Sequence, residues 1–509
     1  MNKKFYITTA IPYVNAAPHL GFVLEVVQAD TIARYHRLLD EDVYFLAGTD
    51  ENALKNVQAA EEEGITTQKL VDRNAKKFFQ LKKALNLSYD DFIRTTEKRH
   101  IKGVQALWQA CKKEDIYKKK YQGLYCLGCE AFYTKKDLVD GKCPEHKKEL
   151  EMVEEENYFF RLSKYQTSII QIIEEGKLKI IPESRKNEIL AFVKSGLKDF
   201  SISRSKKRTK GWGIPVPGDP SQIIYVWFDA LANYLTALNW DKNDKLYQKY
   251  WPADLHVIGK GIIRFHAIYW PAILKSAGIL LPKQEFVHGY VTVEGEKISK
   301  SRGNVIDPFE LVNKYGTDAV RYYLLREIPP FKDSDFSLRR FKELYNADLA
   351  NGLGNFIQRT LTLAKKYFNS RVPKIDIKPE SLPLQGGIEI QTWKKYDRLL
   401  KDYKFNEALD AIWKFISAAD KYIDENKPWE LAKKQQTRKL SIIVFDLLES
   451  LHQIAWMIYP FLPRTAQEID RRLGGKSLIA KKPLVKESWN PIKPGNKIKT
   501  GKPLFPRIK

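Results

Sequence analysis

The feature that most constrains the fold of this 509-residue chain is an alternation of strand-like and helix-like segments that stops and later resumes. The first such segments are, in order, FYITTAI, PYVNAAPHLG, FVLEVVQADTIARYHRLLD and VYFLAGTD: a β-rich run, a turn, a helical stretch and a second β-rich run. This order predicts parallel strands joined by helices, in a doubly wound α/β sheet. The alternation resumes from about residue 221, where LHVIGK and EFVHGYVTV are strand-like. The chain is therefore predicted to contain a parallel-sheet domain that is split by an insertion.

The predicted halves of the sheet domain are residues 1–113 and 221–320, and residues 114–220 form the insertion. The insertion has lysine runs, three of the four cysteines and the basic segment SRSKKRTKGWGIPVPGD, so its composition differs from that of its flanks. A linker is predicted at 321–345. In 346–475, apolar residues recur at i, i+3 and i+4, which indicates an all-α bundle. The tail, 476–509, holds ten Lys and Arg against one Glu.

Charge and cysteine content narrow the function. The chain has 86 Lys and Arg against 62 Asp and Glu, a net charge of +24, together with 11 Trp, 26 Tyr and 25 Phe. Positive charge interleaved with aromatic residues favours a nucleic-acid partner. The alternatives are an anionic membrane, or a positive charge that only keeps the protein soluble. Four cysteines are too few for a disulfide framework, so we expect a cytoplasmic protein. The most apolar stretches are interrupted by charges, and no membrane span is expected.

Two short motifs are candidates for phosphate chemistry. His19 and Gly21 lie in PHLG, where a strand and turn lead into a helix, and backbone N–H groups at a helix start attract anions. Lys297 and Lys300 lie in KISKS, on a loop with Gly on both sides, and can neutralise a departing polyphosphate. Taken alone, the first motif is more typical of a plain helix entry, and the second is more typical of a solvated basic loop. Together, one near each end of the split domain, they favour a nucleotide site.

The insertion contains a third pattern, within about residues 121–150. Two close pairs of ligand-type residues are separated by 13 positions, and this spacing is typical of a tetrahedral structural Zn²⁺ site; the alternative is a set of buried free thiols. The four predicted ligands are Cys126, Cys129, Cys143 and His146. Since they fill all four positions, the site is predicted to be structural.

PHLG and KISKS together resemble the two signatures of class I aminoacyl-tRNA synthetases. The surrounding stretches TTAIPYVNAAPHLG, FLAGTDEN, WGIPVPGD, IYVWFDAL, RFHAIYWPAIL, VHGYVTVEGEKISKSRGN and NKPWEL are similar to the methionyl-tRNA synthetase family. They follow the family's order from residue 5 to about 460. The resemblance implies a split Rossmann-type catalytic domain with a zinc-knuckle insertion, followed by an α-helical anticodon-binding bundle.

The resemblance also implies a reaction. L-Methionine and ATP would form methionyl-adenylate, and the methionyl group would then pass to the 3′ adenosine of tRNA(Met), including the initiator. Mg²⁺ would accompany the ATP, and the enzyme would be a monomer. The implied catalytic groups are His19, Lys297 and Lys300, and the ATP contacts also include Gly21 and Glu25.

The methionine and tRNA contacts are implied by the same resemblance. The implied methionine-binding residues are Ile11, Tyr13, Asp50, Trp227, Ala230, Tyr234 and His288. Asp50 would hold the α-ammonium group, His288 would mark the sulfur end, and aromatic rings suit a thioether. Trp429, in NKPWEL, would stack on an anticodon base. Asn351, Asn355 and Arg359 lie on a predicted helix facing the same loop.

Two positions depart from the family pattern. Phe22 stands where the second histidine of the first signature is expected, and Gly261 replaces a carboxylate expected near the ATP ribose. These departures leave open a non-enzymatic tRNA-binding paralogue whose active site has drifted. A related class I enzyme for another apolar or sulfur amino acid is the other alternative, because one methylene changes binding by only about 1–3 kcal/mol.

Overall fold

The computed structural model describes residues 3–126, 131–133, 138–144, 147–297, 306–378, 381–475 and 491–508. The strands are β1 (Lys4–Thr9), β2 (Asp42–Thr49), β3 (Asp91–Arg94), β4 (Ile116–Cys126), β5 (Ala131–Tyr133), β6 (Glu151–Phe160), β7 (Lys179–Ile181), β8 (Phe200–Ser201), β9 (Ser203–Ser205), β10 (Pro215–Val216), β11 (Asp219–Ile224), β12 (Leu255–Gly259), β13 (Gln284–His288), β14 (Val291–Val293), β15 (Glu296–Lys297) and β16 (Ser334–Phe336).

The helices of the same residues follow in chain order. They are α1 (Leu20–Leu38), α2 (Leu54–Glu62), α3 (Thr67–Ala84), α4 (Lys98–Ala110), α5 (Gln166–Glu174), α6 (Glu183–Lys194), α7 (Val226–Leu231), α8 (Asn233–Thr236), α9 (Lys245–Tyr250), α10 (Trp270–Ser276), α11 (Pro308–Tyr315), α12 (Thr317–Arg326), α13 (Leu338–Leu344), α14 (Asn355–Tyr367), α15 (Ile390–Lys401), α16 (Phe405–Asn426), α17 (Pro428–Lys433), α18 (Thr437–Ile458) and α19 (Pro463–Arg472). Three π-helical turns, Phe265–Tyr269, Tyr345–Gly354 and Gln385–Glu389, precede α10, α14 and α15.

Six of the described strands form a parallel sheet in the order β3-β2-β1-β12-β13-β7. The chain adds β2 and β3 on one side of β1, and β12 and β13 on the other. The strand order therefore reverses between β1 and β12, and ligands of open α/β sheets bind in the crevice at the carboxyl ends of the strands beside such a point. The predicted split parallel-sheet fold is confirmed.

The two faces of this sheet are covered by different hydrophobic clusters. Ile7 and Leu255 pack on the side of α1, whereas Tyr6 and Ile258 pack on the opposite side, against α8 and α10. Side chains alternate between the faces because successive residues of a strand point in opposite directions. Because of this alternation, polar side chains of β12 and β13 can contact each other only when they project from the same face of the sheet.

The segment between the sheet halves contributes to more than one sheet. Strands β5-β4-β6-β8 form an antiparallel sheet, and β10-β11-β9 form another. The second half of the parallel sheet was expected to begin at about residue 221. Strand β11, which contains this residue, belongs instead to the antiparallel sheet β10-β11-β9. Strand β7 lies within 114–220 in the sequence and pairs with β13 at the edge of the parallel sheet.

The region after α13 is helical, as predicted. Helix α18 is long and apolar enough to cross a membrane, but 89% of its most apolar window is buried inside the protein, as expected of a core helix. The segment 491–508 packs against these helices: the N–H of Val372 donates to the carbonyl of Asn496 (3.0 Å), and that of Ile492 donates to Glu449 (2.7 Å).

Candidate active site

His19 caps helix α1 at the carboxyl end of β1. Its Nδ1 accepts a hydrogen bond from the N–H of Gly21 (3.0 Å), so the neutral ring carries its proton on Nε2. The surrounding protein lowers the pKa of His19, although the side chain is open to solvent on one side. A Cβ at position 21 would lie 2.9 Å from Cε1 of the ring, so a larger residue there requires the ring to shift. The helix start therefore presents the Nε2–H donor of His19 and the positive end of the helix dipole to an anion.

Glu25, 6% exposed, lies two turns further along α1 and meets His288 at the end of β13. The Nε2 of His288 is 2.9 Å from Oε2 of Glu25, and its Nδ1 donates to the carbonyl of Gly289 (2.8 Å). Because the Nδ1–H of His288 already donates to this carbonyl, a second proton must lie between Nε2 of His288 and Oε2 of Glu25 for these two atoms to be hydrogen-bonded. Burial raises the pKa of Glu25, while the contact with His288 opposes this rise.

Tyr234 and His266 form the polar end of an aromatic wall on the other face of the sheet. The Tyr234 hydroxyl lies 2.8 Å from Nε2 of His266, whose Nδ1 is 3.0 Å from the carbonyl of Ile262. Burial lowers the pKa of His266 to about 4, so the ring is neutral: Nδ1–H donates to the carbonyl, and Nε2 accepts from the Tyr234 hydroxyl. Trp227 continues the wall, stacked on Phe265 with ring centroids 3.8 Å apart.

Tyr13 and Asp50 complete the crevice from the strands β1 and β2. They form an isolated parallel bridge just beyond the strand ends, and the N–H of Asp50 donates to the carbonyl of Pro12 (2.8 Å). Asp50 is 1% exposed, and its Oδ1 accepts from the N–H of Asn52 (3.1 Å). The Tyr13 and Trp227 ring centroids are 6.5 Å apart.

The two aliphatic residues among the predicted methionine contacts are Ile11 and Ala230. Ile11 is half-buried beside Gly48, where a Cβ would lie 3.0 Å from the Ile11 side chain. Ala230 is 5% exposed on α7, and its carbonyl accepts from the Asn233 side chain (2.6 Å). Ring contacts, a hydrogen bond and a backbone bridge thus connect Tyr13, Trp227, Tyr234 and Asp50, the first three of them through their own rings and that of His266. The imidazole of His288 instead contacts Glu25 on the α1 side of the sheet.

The two departures from the family pattern have structural partners. Phe22 packs edge-on against Phe78 with centroids 5.2 Å apart, so it belongs to the hydrophobic contact between α1 and α3. A Cβ at Gly261 would collide with the Tyr290 hydroxyl. Because the phenol already occupies this space, a larger side chain at position 261 requires Tyr290 to move.

The KISKS segment lies only partly within the described residues. The backbone of Lys297 pairs with Thr292 in the β14-β15 hairpin, and Lys300 lies outside the described residues. Strand β14 also pairs with β16, which fixes the hairpin beside the end of β13. Lys260 approaches the same area, where its ammonium group is 2.6 Å from Asp333.

Two of the four predicted zinc ligands are described. Cys126 ends β4 and Cys143 follows a tight turn; both are buried, and the carbonyl of Cys143 accepts from the N–H of Lys147 (2.8 Å). Cys129 and His146 lie outside the described residues. Within the described ranges, no three Cys, His, Asp or Glu side chains are grouped so as to hold a metal ion.

The predicted anticodon residues lie on the helical region. Trp429, 37% exposed, lies near the start of α17. Arg359 forms ion pairs with Asp420 (2.8 Å) and Asp424 on α16. Asn351 and Asn355 line a cavity of about 340 Å³ that is closed on one side by residues 503–507.

Sequence reasoning missed His266 and Phe265. Both lie in the RFHAIYWPAIL stretch. This stretch resembles the family, but the resemblance was not used to assign a role to either side chain. The π-helical turn Phe265–Tyr269 changes which side chains face the crevice. A regular helical periodicity does not reveal such a turn.

Comparison with known proteins identifies the family. A family profile described as "tRNA synthetases class I (M)" matches residues 5–152 and 145–361, and "Anticodon-binding domain of tRNA ligase" matches 390–500. The methionine–tRNA ligase of Thermotoga maritima is 44% identical over 99% of this chain and 80% of its own length. That of Bacillus subtilis is 42% identical over 100% of this chain and 78% of its own length.

Solved structures give the same result. Mycobacterium tuberculosis methionyl-tRNA synthetase in complex with methionyl-adenylate has a TM-score of 0.94 at 39% identity, covering 99% of this chain and 100% of that chain. The apo form of the same protein has a TM-score of 0.87 at 36% identity, and the match covers 100% of this chain and 99% of that chain. The chain therefore belongs to the methionyl-tRNA synthetase family of class I aminoacyl-tRNA synthetases and functions as a methionine–tRNA ligase.

Proposed function

We propose that ATP and L-methionine meet in the crevice at the carboxyl ends of β1, β12 and β13. The methionine carboxylate attacks the α-phosphorus of ATP, pyrophosphate leaves, and methionyl-adenylate forms. A hydroxyl of the terminal tRNA adenosine then attacks the methionyl carbonyl and releases AMP. The observation that carries this proposal is that an anion-binding helix start and an aromatic wall lie at the same edge of the sheet. The solved relative that is bound to methionyl-adenylate supports it.

The phosphate side of the crevice is assigned to His19 and Gly21, together with Lys297 and Lys300 of the KISKS segment. Little acid–base chemistry is needed, because the reaction depends on positioning and on neutralising the charge of pyrophosphate. Mg²⁺ accompanies the ATP as a hard, oxygen-bound cation. Glu25 is assigned to the ATP ribose.

The methionine side is assigned to the aromatic wall and Asp50. Tyr234 and His266 form the sulfur end, because the Tyr234 hydroxyl contacts His266 and not His288. His288 is assigned to holding Glu25. Asp50 receives the α-ammonium group, while Ile11, Tyr13, Trp227 and Ala230 enclose the side chain. Contacts between sulfur and aromatic rings are worth about 0.3–1.5 kcal/mol each.

Amino-acid-dependent ATP–pyrophosphate exchange tests the assignment. Exchange is expected with methionine and at least 100-fold less efficiently with leucine or cysteine. Stronger exchange with either of these amino acids would contradict the substrate, and tRNA binding without any exchange would favour the non-enzymatic paralogue.

The helical region is proposed to bind the anticodon of tRNA(Met), including the initiator. Exposed Trp429 supplies a stacking surface, and Asn351, Asn355 and Arg359 supply polar groups. The enzyme is proposed to act as a monomer in the cytoplasm. Light scattering at micromolar concentration, and charging of both initiator and elongator tRNA, test these points.

The insertion is proposed to hold one structural Zn²⁺ through Cys126, Cys129, Cys143 and His146. The buried positions of Cys126, at the end of β4, and of Cys143, after a tight turn, fit thiolate ligands of a closed site. Metal analysis of the purified protein is expected to give one zinc per chain. A Cys129→Ser variant is expected to lose it, whereas Cys111→Ser, outside the pattern, is expected to keep it.

A further inference from the structure

Two buried polar side chains lie next to each other behind the aromatic wall. His256 on β12 and Glu285 on β13 are register partners in the parallel sheet, so their side chains project from the same face. Both are 0% exposed. This face is the one that carries Tyr234, opposite the face covered by α1.

Neither side chain is satisfied by the protein groups around it. The Nδ1 of His256 is 2.7 Å from the Thr8 hydroxyl, but its Nε2 has no hydrogen-bonding partner among the described residues. Both carboxyl oxygens of Glu285 also have none in that part of the chain. An unsatisfied buried polar group destabilises the folded state. Adjacent strands are about 4.8 Å apart, so a single water molecule can join the two groups.

Burial favours the uncharged form of both groups. It raises the pKa of Glu285 well above its ordinary value and lowers that of His256 well below it. In its uncharged form a carboxylic acid has one O–H donor, and a neutral imidazole offers one ring nitrogen as an acceptor.

His256 connects this pair to the proposed methionine pocket. The Tyr234 ring lies over the His256 ring with centroids 4.2 Å apart and planes inclined by 30°. Tyr234 in turn holds His266 through its hydroxyl (2.8 Å). A tilt of the His256 ring therefore moves the ring that forms the sulfur end of the pocket.

We propose that Glu285 is a positioning residue for methionine: bound to His256 through a buried water molecule, it fixes the ring on which Tyr234 rests. The inference rests on the proposed assignment of Tyr234 to the methionine pocket. Glu285 does not touch the substrate, so its loss changes the fit of methionine and leaves the chemistry of ATP intact.

Steady-state ATP–pyrophosphate exchange with Glu285→Leu and Glu285→Gln tests this role. Glu285→Leu removes the hydrogen-bonding groups at similar size, and we expect the methionine KM to rise at least 10-fold while kcat and the ATP KM stay within 2-fold. Glu285→Gln keeps an uncharged hydrogen-bonding group and is expected to stay within 3-fold of the parent. Phe286→Leu, on the opposite face of the same strand, is the matched control for loss of packing.

Two further variants distinguish a failure of the pocket assignment from a failure of the positioning role. Tyr234→Ala is expected to raise the methionine KM; if it does not, the pocket assignment itself is wrong. If Tyr234→Ala raises the methionine KM but Glu285→Leu leaves it unchanged, the positioning role is overturned. The role is also overturned if Glu285→Leu changes kcat and the ATP KM as much as the methionine KM, or has no larger effect on the methionine KM than Phe286→Leu. Should Glu285→Leu fail to fold, His256→Phe serves instead: it keeps an aromatic ring but removes both ring nitrogens, including the Nδ1 that contacts Thr8, and the same selective KM increase is required of it.

Discussion

At the scale of single residues, the contact between His19 and Gly21 prepares the phosphate side. The ring occupies the space of a Cβ at position 21 and is held by one backbone N–H, which fixes Nε2 as the donor. Removing one such donor from a charge-stabilising site costs about 100- to 1,000-fold in rate. We therefore expect the proposed activity of this helix start to depend on the small size of residue 21, although glycine favours a helix less than alanine does.

Gly21→Ala is expected to separate stability from activity. Alanine favours the helix by up to about 1 kcal/mol, so the melting temperature should stay equal or rise. The new Cβ displaces the ring, so kcat for ATP–pyrophosphate exchange should fall at least 10-fold. Gly387→Ala, where a Cβ meets open space, is the control and should leave exchange unchanged. Full exchange activity in Gly21→Ala would show that the ring position does not matter.

At the scale of elements, α18 and the π-helical turn Gln385–Glu389 enclose three buried carboxyl groups. Burial raises the pKa of Glu389 to about 8, that of Glu449 to about 7 and that of Asp446 to about 6. Asp446 accepts from the N–H of Leu384 (3.1 Å), and Glu449 accepts from the N–H of Ile492 (2.7 Å), so the carboxyl groups join three segments. Mutual repulsion of these groups adds to the effect of burial.

Glu389→Gln is expected to stabilise the protein in a pH-dependent way. Between about pH 5 and 8 the folded state keeps a proton on Glu389 that the unfolded state has released, so stability falls as pH rises. Replacing the carboxyl should raise the melting temperature by about 2–4 °C at pH 8 and have little effect at pH 5. The exposed Glu407→Gln serves as the control. Equal shifts at both pH values would contradict this explanation.

At the scale of the whole molecule, Arg321 joins the catalytic sheet domain to the helical region. It is fully buried; its guanidinium pairs with Asp30 on α1 (2.8 Å) and donates to the carbonyls of Phe461 (2.7 Å) and Pro460 (2.8 Å). Asp30 also pairs with Arg34 (2.8 Å), and its pKa is lowered to about 2 despite burial. The helix that begins at His19 is thereby fixed to the loop between α18 and α19.

Arg321→Met is expected to reduce the free energy of unfolding by about 3–5 kcal/mol, because it leaves Asp30 buried with one partner fewer. Adding Asp30→Asn should recover part of this loss, so the double variant should be more stable than the sum of the single effects predicts. Urea unfolding measures both. The exposed pair Arg339 and Glu343 provides a control, since Arg339→Met should cost less than about 1 kcal/mol. Strict additivity would argue against coupling between Asp30 and Arg321.

The two reactions of the enzyme should respond differently to changes on the helical region. Trp429→Ala is expected to lower kcat/KM for tRNA charging at least 10-fold and leave ATP–pyrophosphate exchange unchanged, because stacking on a base is worth about 1–3 kcal/mol. Phe79→Ala, which removes another exposed aromatic ring, is the control. A loss of exchange in Trp429→Ala would place the residue in the fold and not in tRNA binding.

Sequence patterns were sufficient for features that depend on near neighbours in the chain. The alternation of strands and helices predicted the split parallel sheet, and the apolar spacing predicted the helical region, because each depends on residues a few positions apart. PHLG likewise placed His19 at a helix start.

Only the tertiary structure decided which distant side chains meet. Tyr234 and His266 are 32 residues apart, and Glu25 and His288 are 263 residues apart; these contacts depend on which strands pair and in what register. A shift of one residue in register moves every side chain of a strand to the other face. No local pattern placed His288 beside Glu25 or joined β7 to the sheet, because long-range pairing is set by the packing of the whole domain.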